Sequence, residues 1–386
     1  MTGGGARGAY QAGVLKRIGQ IKRLQGMPGP FKIIGGASAG AVNGVAIASG
    51  NHDFARCVEW VSKLWSDLEN KDVYRTDLFS LIPKAGRWMK DLSLGGAIGG
   101  GHAHSLLDAS PLGKFLSQYI KPEYIQTNID RGHLRSLCVS ATNYSSGKNF
   151  LFIQAEPGHK MWTKSRRIAL ATKITIDHVC ASAAIPVVFQ PVKVVTEYGA
   201  DYFGDGCLRL HAPLSPVIRL GAERILAIGL RSEKSAAMNE NTPLTPGMAR
   251  KIPKPPPLAQ ILGVSLNAIF LDHLDADVEH LFRLNQIISQ GTFNVKGVQE
   301  PIRVVHPLVI TPSYDLGKVA EEFSNKLPMA VRYFMSGLGT GEASSSDLIS
   351  YLLFDSEYTK ALINMGFADA DDRIDEIENF IFAKEI

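Results

Sequence analysis

The sequence has few cysteines, no long apolar run and little excess of either charge. Its four cysteines are widely spaced and form no C-x-x-C pair, so neither a zinc site nor a disulfide framework is predicted. No stretch of about 18 apolar residues occurs, which argues against a membrane-spanning helix. Lys and Arg number 41 against 37 Asp and Glu, and no tract resembles a nucleic-acid-binding segment. No signal peptide is visible, so we expect a cytoplasmic protein with reduced thiols.

Acidic residues are absent from the first 52 positions, and this bears on a glycine-rich motif. Residues 3–8 read G-G-G-A-R-G, which matches G-x-G-x-x-G and opens a predicted helix. A dinucleotide-binding loop needs a preceding strand and an acidic residue about 20 positions later, and both are missing. Consecutive glycines can instead direct backbone N–H groups at an anion that develops during a reaction. A plain glycine turn before a helix is the alternative.

A second motif, G-A-S-A-G at residues 36–40, surrounds Ser38 with small residues. An apolar strand is predicted before it, at residues 31–34, and a small-residue helix after it, at residues 41–49. This strand, turn and helix are what a nucleophile elbow of the G-x-S-x-G type requires. The motif therefore predicts a catalytic serine, and an unreactive serine in a tight turn is the alternative.

A serine hydroxyl needs a base to become a nucleophile, and the sequence leaves two choices. The first is a histidine oriented by an acid, as in Ser-His-Asp enzymes. Four histidines follow Asp205 in the order that α/β-hydrolases use: His211, His273, His280 and His306. The second choice is a carboxylate that accepts the proton directly. Spacing alone does not separate the two.

The order of predicted elements indicates an α/β fold. A helix, a strand, a sharp turn and a helix occupy the first 50 residues, and a hairpin is predicted at residues 192–205. We expect a catalytic core at residues 1–230, a proline-rich linker or loop at 231–257, and a helical part at 258–386. One strand near residues 302–311 would return to the same domain. No strand precedes the glycine loop, so we expect the core to lack its first strand or the natural start to lie upstream.

Four motifs in this order resemble the patatin-like phospholipases, a family of serine lipid acyl hydrolases. They are the G-G-G-A-R-G loop, the G-A-S-A-G motif, A-S-A-A-I-P at residues 181–186, and Asp205-Gly206 after a hairpin. The S-Y-L-L-F segment at residues 350–354 matches more loosely. The resemblance implies a three-layer α/β/α sandwich with a mostly parallel central sheet and C-terminal helices packed on it.

The resemblance also implies a Ser–Asp dyad without histidine, acting on esters of phospholipids or acylglycerols. Ser38 would be the nucleophile and Asp205 the proton acceptor. The implied oxyanion hole consists of Gly3, Gly4, Gly5, Arg7 and Gly8, and the motif neighbours are Gly36, Gly40 and Gly206. The expected partner is a lipid substrate with peripheral membrane contact, and no cofactor, metal or nucleic acid is expected. The sequence does not indicate an oligomeric state.

Two departures from the family pattern affect these expectations. The family usually has Gly or Ala two residues after the aspartate, where this chain has Cys207. A side chain there would strain the turn if the position needed a positive φ. The absent first strand would remove support from the glycine loop. Two other functions therefore stay open: a generic Ser-His-Asp esterase, and a non-catalytic lipid-binding relic.

Overall fold

The structure is a computed structural model that describes residues 1–76, 105–232, 255, 257–291, 303–329, 331–332 and 346–383. The helices are α1 (Gly8–Gly19), α2 (Ala39–Gly50), α3 (Phe54–Asp67), α4 (Asn70–Val73), α5 (Ser110–Tyr119), α6 (Glu123–Asp130), α7 (Ile176–Ser182), α8 (Ser215–Arg219), α9 (Leu258–Phe270), α10 (Asp272–Gln290), α11 (Leu316–Glu322), α12 (Ser346–Leu352), α13 (Ser356–Asp371) and α14 (Ile374–Phe382). The strands are β1 (Ile33–Ala37), β2 (Ser136–Asn143), β3 (Asn149–Ala155), β4 (Thr163–Lys164), β5 (Arg167–Ala171), β6 (Val192–Thr196), β7 (Gly199–Asp205), β8 (Arg224–Ile228) and β9 (His306–Ile310).

The α/β class predicted from the sequence is confirmed, and the central sheet is mixed. Seven strands form it, in the order β4-β5-β3-β2-β7-β6, with β1 also paired to β2. The pairs β1–β2 and β3–β5 are parallel. Short connections between β2 and β3, β4 and β5, and β6 and β7 allow only antiparallel pairing.

The strand β2 lies at the centre of the sheet and is buried along its whole length. One of its edges pairs with β3. Its other edge is shared by two strands placed end to end, because β1 covers Ser136 to Ser140 and β7 covers Ala141 to Asn143. The last residues of β1 and β7 therefore meet at the middle of β2, and this junction positions the candidate site.

Helix α2 follows β1 directly and consists mainly of small residues. Every residue from Ala39 to Ser49 is buried, so the helix has no solvent-facing polar stripe. Helix α3, in contrast, buries one face only, through residues such as Phe54, Val58 and Trp65. Both helices belong to the main apolar core, which also includes β2, β3 and the C-terminal helices α12 and α13.

Two strands form a separate parallel sheet, in which β9 pairs with β8 in register from Arg224–His306 to Ile228–Ile310. Met1 and Thr2 lie between β8 and β1: the Met1 amino group donates to Gly35 O (3.0 Å), and Thr2 Oγ1 donates to Ile228 O (3.4 Å). A cavity of about 700 Å³ also lies between these strands. Most of the predicted linker, residues 233–254 and 256, lies outside the described residues.

Within the described ranges, no helix combines the length and the apolar character needed to cross a bilayer. The predicted domain boundaries stay a prediction.

Candidate active site

Ser38 occupies a strained turn between β1 and α2. Its φ is 54°, a value that residues with a side chain rarely adopt and that is often found at functional sites. The turn is tight enough that a Cβ on Gly36 would clash with the Gly40 carbonyl. Because α2 begins at the next residue, its N-terminal amides lie beside the serine and favour negative charge there.

Asp205 is the last residue of β7 and lies next to Ser38 because of the strand register. Ala37, at the end of β1, pairs with Ser140 of β2, and Asp205 pairs with the following residue, Ala141. The serine and the carboxylate are therefore brought together by two strands that end at the same point. These residues are separated by 167 positions, so only the folded sheet produces the pair.

The carboxylate of Asp205 is fully buried and incompletely hydrogen-bonded. Its Oδ1 accepts from the Cys207 N–H at 2.9 Å. Its Oδ2 has no hydrogen-bond partner in the part of the chain that the structure describes. Burial raises the pKa of Asp205 to about 7, and the neighbouring Ser38 side chain and the Cys207 amide oppose this rise. A buried carboxylate with one free oxygen beside a serine is suited to accept a proton near neutral pH.

The A-S-A-A-I-P segment holds the serine and the aspartate at the same place. The Ser38 N–H donates to Ser182 Oγ at 2.9 Å, and the Asp205 N–H donates to the Ala184 carbonyl at 2.9 Å. Ser182 is fully buried at the end of α7. From the sequence, this segment is recognisable only as one of the family motifs, and no role for it is predicted. A serine among small apolar residues is the one feature that indicates a function for Ser182.

The glycine loop lies against the serine. A Cβ placed on Gly3 would be 2.6 Å from Ser38 Cβ and 2.5 Å from Cys207 Sγ, so only glycine fits there. The Gly3 amide lowers the pKa of the Cys207 thiol, against the larger effect of burial. The first backbone hydrogen bond of the loop is donated by Arg7 N to Gly4 O (3.1 Å). The Gly4 and Gly5 amides come before Arg7 at the start of the helix, where backbone N–H groups have no partner within the helix. The Gly8 N–H is used within the helical turn, toward Gly5 O and Ala6 O.

A buried polar network fixes the loop to the helices behind it. Trp65 Nε1 donates to Asn43 Oδ1 (2.7 Å), and Asn43 Nδ2 donates to Gln11 Oε1 (3.0 Å) and to Gly8 O (3.1 Å). Gln11 Nε2 then donates to the Thr2 carbonyl at 2.8 Å. Asn43 and Gln11 have no exposed surface. Their role was not predicted, although a single polar residue in a largely apolar helix indicates a buried hydrogen-bond partner.

The Arg7 side chain is directed at the C-terminal helix α12. Its Nη2 donates to Asp347 Oδ1 (2.9 Å) and its Nε to Ser350 Oγ (2.7 Å), and the guanidinium carbon lies 4.3 Å from the centre of the Tyr351 ring. Only 2% of the side chain is exposed. The predicted oxyanion-hole residue thus uses its guanidinium to join the glycine loop to α12.

Cys207 is accommodated without strain. It does not have a positive φ, since the described non-glycine residues with positive φ are Ser38 and Val187. Burial and the nearby Asp205 raise the pKa of the Cys207 thiol well above its ordinary value. The side chain therefore stays a neutral thiol and packs as a small apolar group.

An apolar cavity opens beside Ser38. Residues of α2, α3, α4, α5 and the segment after α7 line it, together with Gly5 and Phe354, and Ser38 is its polar member. No histidine is among the described residues that line it. His211 and His273, two of the four candidate bases, contact each other edge to face with ring centroids 4.9 Å apart. His306 pairs with Arg224 at the far end of the small sheet.

The match to a family model agrees with the resemblance that the motifs indicate. The family model described as patatin-like phospholipase matches residues 1–218, which is more than half of the chain. No curated protein matches the sequence. The crystal structure of VipD from Legionella pneumophila is similar over 94% of this chain and 66% of its own length, at 12% identity and a TM-score of 0.26. The chain thus spans slightly less than two thirds of VipD, a similarity too distant for comparing residues. The chain belongs to the patatin-like phospholipase family, a family of lipid hydrolases.

Proposed function

We propose that the protein is a serine acyl hydrolase that cleaves ester bonds of phospholipids or acylglycerols through a Ser38–Asp205 dyad. The observation that carries the proposal is the buried Asp205 carboxylate beside Ser38, with one oxygen lacking a hydrogen-bond partner among the described residues. A structural aspartate at this depth would be expected to have both oxygens satisfied. A base that must receive a proton needs an oxygen that no other donor occupies.

In the proposed first step, Ser38 Oγ attacks the ester carbonyl carbon while Asp205 Oδ2 accepts the hydroxyl proton. The negative charge that develops on the carbonyl oxygen is stabilised by the Gly4 and Gly5 amides and the start of α2. The bond to the alcohol oxygen then breaks, and Asp205 returns the proton to the departing alcohol. In the second step, water gives a proton to Asp205 and attacks the acyl-enzyme. The bond between the acyl carbon and Ser38 Oγ then breaks, Asp205 returns the proton to Ser38 Oγ, and the acid is released.

The substrate class follows from the family and from the apolar cavity at Ser38. Such a substrate resides in a bilayer or droplet, so we propose peripheral contact with a lipid surface. The hairpin that ends at Asp205 offers an apolar outer surface for this contact, since Val195, Tyr198 and Tyr202 are exposed. Tyrosine is favoured at the boundary between lipid and water.

The function is tested by mass-spectrometric analysis of products from a mixed-lipid bilayer, with the wild type and Ser38→Ala compared. We expect free fatty acids and the matching lysolipids or alcohols from the wild type. Loss of the nucleophile should lower the rate by about 10⁵-fold or more, because catalysis by the dyad depends on both members. Equal product from the two proteins would refute the proposal.

The pKa of Asp205 predicts the pH dependence of hydrolysis. Burial raises this pKa to about 7, and the base works only when it is ionised. The value of kcat/KM for a short ester should therefore increase about tenfold per pH unit below 7 and level off above it. A profile that is flat from pH 5 to 8 would contradict the proposed role of the buried carboxylate. A histidine base would give a similar curve, so the profile of the wild type is measured together with the activity of Asp205→Asn.

A further inference from the structure

Three buried side chains of the central sheet bond to the main chain at the proposed base, and together they form a cradle for it. Thr142 Oγ1 donates to the Asp205 carbonyl at 2.8 Å. Ser140 Oγ and Asn149 Nδ2 donate to the Gly206 carbonyl at 3.3 and 3.2 Å. Asn149 Nδ2 also donates to Ser140 Oγ at 2.7 Å, which links two of the three side chains. Each of the three is at most 2% exposed, so bulk water does not compete for these bonds.

The sheet explains why these carbonyls need side-chain partners. Strand β7 ends at Asp205 because β1 takes over the edge of β2 at Ser140, which pairs with Ala37. Where a strand leaves a sheet, its buried carbonyls need partners other than a neighbouring strand. The Asp205 side chain shares a face with its register partner Ala141, and the neighbours of Ala141 in β2 face the other way. The cradle therefore holds the base from the opposite face, and its bonds go to carbonyl oxygens rather than to the carboxylate.

The amide of Asn149 indicates that the cradle serves more than the stability of the sheet. Its Nδ2 makes two hydrogen bonds, whereas its Oδ1 is buried without a hydrogen-bond partner among the described residues. A buried polar atom without a partner destabilises a fold, so an asparagine kept only for stability would have both ends paired. Gly206 shows the same close approach, because a Cβ there would clash with the Ser140 carbonyl. The main chain after Asp205 is thus held tightly against β2.

We infer that Thr142, Ser140 and Asn149 are positioning residues, which direct the Asp205 carboxylate at the nucleophile by fixing the carbonyls beside it. The inference rests on the proposed function and deepens it. The fixed turn brings the Cys207 N–H to Asp205 Oδ1 (2.9 Å), so that Oδ2 is the oxygen available for the proton. A misplacement of about 1 Å in a catalytic group can lower a rate about a hundredfold.

Two substitutions at Thr142 separate the effect of its hydroxyl from that of its shape. Thr142→Val keeps the shape and loses the donor to the Asp205 carbonyl, whereas Thr142→Ser keeps the donor and loses a methyl group. In initial-rate measurements with p-nitrophenyl butyrate, Thr142→Val should lower kcat about ten- to hundredfold and change KM less than about twofold. Thr142→Ser should keep kcat within about threefold of the wild type, because the hydrogen bond is retained.

Ser136→Ala is the matched control. Ser136 lies on the same strand and is fully buried, and its hydroxyl has no hydrogen-bond partner in the described part of the chain. Its replacement should leave kcat within about twofold of the wild type, since no bond is lost. Two results would overturn the inference. One is a loss of kcat in Thr142→Ser as large as in Thr142→Val, and the other is a loss of kcat that follows Tm in every variant, Ser136→Ala included.

The titration of Asp205 separates this inference from the proposed function. Carboxyl ¹³C NMR of aspartate-labelled protein, assigned with Asp205→Asn, follows this group without any substrate. Burial is the main reason that the pKa of Asp205 is about 7, and a loosened turn admits water. The midpoint should therefore fall by about one pH unit or more in Thr142→Val and stay unchanged in Thr142→Ser.

The two measurements together assign any failure. If the wild type hydrolyses no ester but the midpoint of Asp205 moves as expected, the proposed function fails and the inference stands. If the wild type hydrolyses esters, and neither kcat nor the midpoint responds to Thr142→Val, the inference is refuted and the function stands.

Discussion

Asp205→Asn is expected to lower kcat/KM for ester hydrolysis at least about a thousandfold while the protein stays folded. The substitution keeps the size of the side chain, and the amide oxygen can still accept from the Cys207 N–H. What it removes is the oxygen that can receive the Ser38 proton. Initial rates on a soluble ester, together with the far-UV circular dichroism of the variant, measure both parts of this expectation.

The same variant should be more stable than the wild type above pH 7. The pKa of Asp205 is raised from 3.8 to about 7 in the folded protein, so the folded state holds this proton more tightly than the unfolded chain. The resulting stabilisation is complete below pH 4 and is lost as the pH rises to 7. At pH 8 the wild type carries a buried charge whose burial costs on the order of 4 kcal/mol. The uncharged asparagine avoids this cost. The Tm of Asp205→Asn should therefore exceed the Tm of the wild type at pH 8, and this advantage should be lost at pH 5.

Asp201→Asn is the matched control, because Asp201 lies on the same strand. Its carboxylate accepts from Asn143 Nδ2 (2.7 Å) and Ser145 Oγ (2.6 Å), and these bonds lower its pKa. We expect this variant to keep its activity within a few-fold. If Asp205→Asn retained activity, and His211→Ala or His273→Ala lost it, the Ser-His-Asp mechanism would replace the dyad.

The features that depend on local geometry could be predicted from the sequence. The G-A-S-A-G motif requires small residues for steric reasons, and the structure places Ser38 at the predicted strand-to-helix turn with a positive φ. The hairpin before Asp205 is similarly local, because alternating residues and a short turn are adjacent in the chain. In both cases the relevant contacts lie within about ten residues.

The features that depend on register and burial could not be predicted in this way. The meeting of β1 and β7 on one edge of β2 requires the pairing of Ala37 and Asp205 with neighbouring residues, which no single segment encodes. The raised pKa of Asp205 depends on its complete burial by the surrounding core. The role of Arg7 depends on a helix that is more than 300 residues away in the sequence.

Arg7 connects the glycine loop to α12, and its contacts indicate a structural role for the side chain. Its guanidinium contacts Asp347, Ser350 and Tyr351, all on that helix. Gly5, in the same loop, has a φ of 57°, and a Cβ there would clash with the Tyr351 carbonyl. The Gly4 and Gly5 amides are thus held in place by a helix outside the region that the family model matches.

Arg7→Ala is therefore expected to lower stability by about 3 kcal/mol and kcat by about a hundredfold or more, since the loop loses a buried ionic contact and its alignment. Arg7→Lys keeps the charge but loses the Ser350 bond and the stacking on Tyr351. Its stability and its kcat should therefore lie between those of the wild type and of Arg7→Ala. Asp347→Asn should reproduce part of the effect on both quantities. If the guanidinium acted directly on the substrate, Arg7→Lys would lower kcat without changing Tm, and Asp347→Asn would leave kcat unchanged. Thermal unfolding and single-turnover rates of the three variants distinguish these outcomes.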